Sequence, residues 1–245
     1  MESIQIYLHS ANADKYYNNS VSDCEFILPP IEIPDGFHIY LSVQNVSIPY
    51  SFYNVNNDTN ILAYTANGVT TTLTVTNGNY NITQLLSYLN TNMTNFTVTY
   101  NSITNKLTFT NSLYDFTINS TSTCLVMLGF GVGSTYTSTS KSLTAPNCVN
   151  IQTTKRINIA SNLITYNINK SNLNNYSILC SIPINKPPFS VIEYANTNHF
   201  RTNLFINNIS NIKIRLLDEN GKLIDLNGCH FCITLQLDVE PFGVN

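Results

Sequence analysis

The chain is expected to be all-β, a β-sandwich interrupted by one small mixed module. Three observations predict this class. Apolar and polar residues alternate toward both ends of the chain, only one stretch repeats apolar residues at helical spacing, and turn signals separate many short segments. Near the start, Ile4, Ile6 and Leu8 alternate with Gln5, Tyr7 and His9. Phe37, Ile39, Leu41 and Val43 then alternate with His38, Tyr40, Ser42 and Gln44. Side chains of a strand point to opposite faces in turn, so each segment reads as a half-buried antiparallel strand.

The middle of the chain carries a different pattern. A strand over Val69 to Thr76 ends in the turn signal Asn77-Gly78. Asn81 suits a helix N-cap, and Gln84 stands three places on, as a capping box requires. Ile82, Leu85, Leu86, Leu89 and Met93 follow at helical spacing and predict one apolar stripe. Phe96 to Tyr100 and Lys106 to Thr110 predict a hairpin, joined by the turn-forming residues Asn101 to Asn105. Phe116 and Ile118 continue as a further strand, and the run Leu125 to Phe130 closes the module. The expected order is β-α-β-β-β. Gly129 to Ala145, rich in Gly, Ser and Thr, is expected to be a long exposed loop.

Strands are expected to resume near Ile151, over Arg156 to Tyr166 and over Tyr176 to Ile184, with Pro183, Pro187 and Pro188 at edges or turns. Ile212, Ile214 and Leu216 alternate with Lys213 and Arg215 before a turn at Asp218-Glu219-Asn220-Gly221. The last strand is the clearest. Cys229, Phe231, Ile233, Leu235, Leu237 and Val239 share one face, and His230, Cys232, Thr234, Gln236 and Asp238 share the other. Many short strands with turn signals and a single helix indicate a sandwich or jelly roll.

Composition marks the middle as separate. The 245 residues hold only 25 charged side chains, 11 basic and 14 acidic, against 38 Asn, 28 Thr and 22 Ser. Residues 59–150 hold three of those charges, Lys106, Asp115 and Lys141, yet 22 of the 28 Thr lie between Thr59 and Thr144. With 43% hydrophobic residues, including 15 Tyr and 12 Phe, the chain has enough apolar surface for a sizeable core. A net charge of −3 argues against nucleic-acid binding, which depends on a basic surface. No apolar run reaches the ~18 residues of a membrane span. The N-terminus lacks the basic-then-apolar pattern of a secretory signal, so the six cysteines are expected to be free thiols in a reducing compartment.

No segment presents a catalytic or metal-binding constellation. Cys229-His230-Phe231-Cys232 has the spacing of half a zinc site, but positions 229 and 232 differ by an odd number. On a strand their side chains point to opposite faces. Among His9, His38, His199 and His230 no pair stands at i, i+4. Gly129-Phe130-Gly131-Val132-Gly133 lacks the Lys-Ser/Thr that follows in a phosphate-binding loop. Lys213, Arg215 and Lys222 form a small basic cluster, offset by Asp218, Glu219 and Asp225. No catalytic residue, cofactor or metal is expected. Amide and hydroxyl surfaces can be buried between subunits at lower desolvation cost than ions, so low charge fits a protein buried in an assembly.

Several segments in order carry a resemblance. Phe26-Ile27-Leu28-Pro29-Pro30-Ile31 is followed by Leu41-Ser42-Val43-Gln44-Asn45-Val46-Ser47-Ile48-Pro49-Tyr50-Ser51-Phe52-Tyr53-Asn54-Val55. Then come Gly78-Asn79-Tyr80-Asn81-Ile82, Thr104-Asn105-Lys106-Leu107-Thr108-Phe109 and Leu128-Gly129-Phe130. The stretch Ile212 to Gly221 and Ile233-Thr234-Leu235-Gln236-Leu237 complete the series. This order resembles the penton-like and minor capsid proteins of virophages, Polinton-type elements and large DNA viruses of eukaryotes. The resemblance implies a jelly roll from residues 1–58 and 146–245, interrupted by an insertion domain at 59–145. It implies a structural virion protein, not an enzyme, at the capsid vertex as a homopentamer or elsewhere as a minor capsid protein. The implied partners are the viral major capsid protein and other minor capsid proteins. The implied location is the virion, assembled in host cytoplasm or a viral factory.

Aromatic residues are enriched at interface cores, so Tyr50, Phe52 and Tyr53 are interface candidates, with their own core as the competing destination. The stretch Gly133 to Ser142, with Ser134, Tyr136 and Ser138, is the second candidate surface. Two other classes remain open. A host-receptor or glycan-binding head would place its site on the Thr-rich insertion, and a hydrolase would need a pocket where a His and a carboxylate converge.

Overall fold

The computed structural model describes residues 2–163 and 177–241. The first strands are β1 (Glu2–His9), β2 (Lys15–Tyr17), β3 (Ser20–Glu32) and β4 (Phe37–Pro49). Next come β5 (Ile61–Ala66), β6 (Val69–Thr74), the helix α1 (Ile82–Asn92), β7 (Phe96–Asn101), β8 (Lys106–Asn111), β9 (Phe116–Ile118), β10 (Tyr136–Thr137) and β11 (Ser142–Thr144). The chain continues through β12 (Arg156–Ser161), β13 (Ile178–Pro183), β14 (Val191–Ala195), β15 (Thr202–Leu204), β16 (Asn208–Leu217) and β17 (Cys232–Pro241). Of the expected strands that became β12 and β13, Ile164, Thr165, Tyr166 and Tyr176 lie outside the described residues. Contacts divide the chain into two compact units, Met1–Phe52 with Thr154–Asn245, and Tyr53–Thr153.

The first unit is a sandwich of two antiparallel sheets. One runs β1-β17-β4-β14, with β15 also on β4, and the other runs β13-β12-β16-β3-β2. Its pairs are nested: β1 lies on β17, β3 on β16, β4 on β14 and β15, and β12 on β13. This is one long hairpin rolled over itself, the jelly-roll topology. The alternation seen in the sequence supplies the core. Ile6 faces Leu235 in register across β1 and β17, and both are buried. Ile159 and Leu216 do the same in the opposite sheet.

One boundary is corrected. The last strand begins at Cys232, not at Cys229. Asn227 and Gly228 both adopt positive φ, and Cys229 N–H closes a turn onto Leu226 O at 2.9 Å, so Cys229 stays exposed outside the ladder.

The second unit holds the sheets β10-β9-β5-β6 and β11-β8-β7, with α1 packed on β7. The helix starts as its capping box demands. Asn81 Oδ1 accepts from Gln84 N–H, and Gln84 Oε1 accepts from Asn81 N–H, both at 2.9 Å. Leu85, Leu89 and Met93 are buried with Val98, Phe109 and Phe130 in one core.

The expected β-α-β-β-β series is present, with β5 before it and β10 and β11 after it. The strand β5 is invisible to a period-2 search because Leu62, Ala63 and Tyr64 are buried in succession. The stretch Gly129 to Ala145 is not one long loop: β10 pairs with β9 and β11 with β8. Strands of two and three residues are too short to show a period. Leu125 to Gly129 forms consecutive turns that close the core, with Phe130 N–H bonded to Leu125 O at 2.8 Å. Gly129 is required there. Its φ is +87°, and a Cβ would stand 2.5 Å from Asn147 O.

Candidate interface surfaces

The sequence-derived interface residues separate by burial. Tyr50 and Phe52 stack on one another with ring centroids 4.4 Å apart and join the core of the sandwich. They fill that core, and neither is offered to solvent. Tyr53, the first residue of the second unit, is half-buried.

Ser134 is exposed and Tyr136 half-buried. The Tyr136 ring packs 4.9 Å from Phe130, and its hydroxyl accepts Gly131 N–H at 2.8 Å. Ser138 is buried, accepting from Phe116 N–H at 2.8 Å and donating to Asp115 Oδ1 at 3.0 Å. Within this stretch Ser134 is thus a surface residue, whereas Ser138 is an internal bridge.

The three charges of residues 59–150 all pin main chain. Asp115 Oδ1 accepts Lys141 N–H at 2.7 Å at a tight turn where Ser140 and Lys141 both have positive φ. That backbone bond, and then the Ser138 hydroxyl, hold the Asp115 carboxyl below its ordinary range. Lys106 Nζ donates to Pro146 O at 2.6 Å, and Lys141 Nζ reaches Ser112 O at 3.5 Å.

In the sandwich, one buried acid gathers two cations. Asp23 is almost fully buried and meets Lys213 Nζ and Arg215 Nε, each at 3.2 Å. The Lys213 ammonium also lies 3.5 Å from the Tyr17 ring centre. The basic cluster read from the sequence therefore serves an internal acid through two of its members.

Burial pushes the thiols of Cys24, Cys124 and Cys180 up to about 12, which keeps them protonated and weakly nucleophilic. Cys148, Cys229 and Cys232 are exposed, and none of the six cysteines is disulfide-bonded. Among the described residues, no three His, Cys, Asp or Glu side chains gather as a metal would need, and no helix is long and apolar enough to cross a membrane.

Periodicity put Tyr7 on the polar face of its strand but gave no sign of the other exposed apolar residues on the sandwich edges. Tyr7, Tyr16 and Ile27 stand on the side formed by β1, β2 and β3, and Phe189, Val191, Phe200 and Phe205 on the side formed by β14 and β15. The one available signal was Phe189 directly after Pro187-Pro188, an aromatic residue in a turn.

Comparison with known proteins bears on the fold. No family model and no curated protein matches the sequence. Among solved structures, the mavirus penton protein superposes with a TM-score of 0.52 at 10% identity, covering 98% of this chain and 100% of that one. The chain has the fold of the mavirus penton protein. A structure of the Sputnik virophage aligns at 13% identity with a TM-score of 0.42, covering 95% of this chain and 97% of that one.

Proposed function

We propose that this chain is a structural virion protein, a capsid vertex (penton) or minor capsid protein that works through subunit contacts and not through catalysis. The observation that carries this reading is the fold shared with the mavirus penton protein over nearly the whole of both chains. Exposed aromatic residues on both edges of the sandwich support it, since a soluble monomer gains nothing from presenting Phe189 at 80% exposure. The partners proposed are copies of itself, in a pentamer at a vertex, and the major and other minor capsid proteins.

Size-exclusion chromatography with light scattering, together with analysis of purified particles, tests the reading. The expected result is a homopentamer and presence in virions. A strict monomer at high concentration that is also absent from virions overturns it.

The receptor or glycan-binding alternative rests on β6, where Val69 to Thr72 are all exposed and uncharged and offer threonine hydroxyls. Saturable binding on a glycan array, lost when Thr70 and Thr72 are replaced, favours that alternative.

A further inference from the structure

The exposed apolar side chains of the sandwich are not scattered. Tyr7 (73% exposed) and Ile27 (56%) stand at one edge, where β1 of one sheet and β3 of the other border an open cleft of about 490 Å³. Phe26, Cys232, Thr234 and Asp14 line it as well. Its volume falls within the range of about 300–1,000 Å³ typical of ligand pockets, ample for one aromatic ring.

The free edge of β1 forms its rim. Ser10 N–H bonds Phe231 O at 2.9 Å, so by alternation the backbone groups of Leu8 and Ile6 also face β17. Those of His9, Tyr7 and Gln5 face outward. No charged side chain stands among Ser3 to His9 to protect this edge.

The opposite edge of the same sheet presents a projection. Phe189 is 80% exposed and has φ +68°, a strained conformation for a bulky residue. Its backbone is held fast: Phe189 N–H bonds Tyr50 O at 2.9 Å, Tyr50 N–H bonds Ser190 O at 2.8 Å, and Ser190 Oγ bonds Pro187 O at 2.5 Å. Farther along the same edge, Phe200 sits in a loop clamped by Asn196, which accepts Phe200 N–H at 3.0 Å and donates to Phe200 O at 2.8 Å. A backbone held in this conformation beneath an exposed aromatic side chain lowers the ordering cost of docking. The charges match too. Lys186 is exposed three residues before Phe189, and Asp14 stands at the cleft, fixed by accepting Ile27 N–H at 2.7 Å.

We propose that a second copy of this chain docks head to tail on the first, with Phe189 of one copy seated in the β1–β3 cleft of the next. The inference rests on the assembly reading above and names the contact that would carry it. The two surfaces differ and lie on opposite edges, so the contact is heterologous; in a vertex pentamer it would repeat around a closed ring.

The test uses the full chain and sedimentation velocity over a concentration series. Phe189→Gly removes the side chain and suits the positive φ, so thermal stability is expected to hold or rise while self-association weakens by about 100-fold, as for an interface hot spot. Ile27→Arg blocks the cleft at an exposed position and is expected to give a folded monomer. Mixed in equal amounts, the two variants retain one intact projection and one intact cleft, so the mixture is expected to form a heterodimer and nothing larger. A Phe189→Gly protein that assembles like the parent, or a mixture without heterodimer, overturns the inference and leaves the capsid reading standing. A parent protein that is monomeric throughout overturns the inference, and its absence from particles as well overturns both.

Discussion

The two units solve the same problem, satisfying polar groups around a β core, with different chemistry. The sandwich uses ions sparingly and buries one of them. Asp23 is closed by Lys213 and Arg215, while Arg201 pairs with Glu240 at 2.6 Å nearer the surface. The Thr-rich unit uses amides. Asn90 on α1 donates to Val98 O at 2.9 Å and accepts Val98 N–H at 2.7 Å, so a helix side chain pairs with β7 as a neighbouring strand would. Asn54 makes the same double contact with Tyr80, at 2.9 and 2.8 Å. Asn111 Oδ1 accepts from both Leu113 and Tyr114 N–H groups. An amide offers donor and acceptor together and needs no counter-ion. Where charge is scarce, in residues 59–150, amides thus do the pairing that Asn196 also does at Phe200 in the sandwich.

Breaking either core should have the largest effect. Phe109 and Phe231 are fully buried in the second and first units respectively. Phe109→Ala and Phe231→Ala are each expected to cost about 4 kcal/mol. If the units unfold separately, calorimetry should show each variant lowering a different transition. A single transition lowered equally by both would show that the units unfold as one.

The next contrast is ionic against amide. Asp23→Ala leaves two cations without their buried partner and is expected to cost about 3 kcal/mol, with a loss that depends on salt. Asn90→Ala is expected to cost about 1–2 kcal/mol with no salt dependence. Denaturant titrations at low and high ionic strength measure both, and equal salt sensitivity in the two variants would undo the contrast.

The smallest effect is local. The Asp115 carboxyl is held below its ordinary value of 3.8 by accepting from Lys141 N–H. A depressed acid stabilises the fold fully above the unfolded pKa and loses that contribution as pH falls through the lower folded value. The protection factor of the Lys141 amide, with intrinsic exchange divided out, is expected to hold at pH 5 and to fall at pH values well under 3.8, with Asp115→Asn less protected than the parent at pH 5.

Much of the local structure was legible because its signals are local. The Asn81 and Gln84 capping box, the stripe through Leu85 and Leu89, and the hairpin of β7 and β8 all appear where spacing placed them. The strand β5 was missed because three consecutive buried residues carry no alternation. The stretch Gly129 to Ala145 was misread because β10 and β11 are shorter than one recognisable period. The interface candidates divided for a related reason. Composition records that Tyr50, Phe52 and Phe189 are aromatic, but not that two of them stack in the core and the third projects into water.

The sequence by itself determined the faces of the strands and the start of the helix, because periodicity and capping act over a few residues. Only the tertiary structure decided which strand lies beside which. Glu2 meets Val239 across β1 and β17, and Asp23 meets Arg215 across β3 and β16. A period of two specifies a face but no partner, so the pairing is settled by burial shared among segments far apart in the chain. That choice leaves β1 at one edge and β14 and β15 at the other, and so sets the cleft and the projecting Phe189 on opposite sides of one sheet.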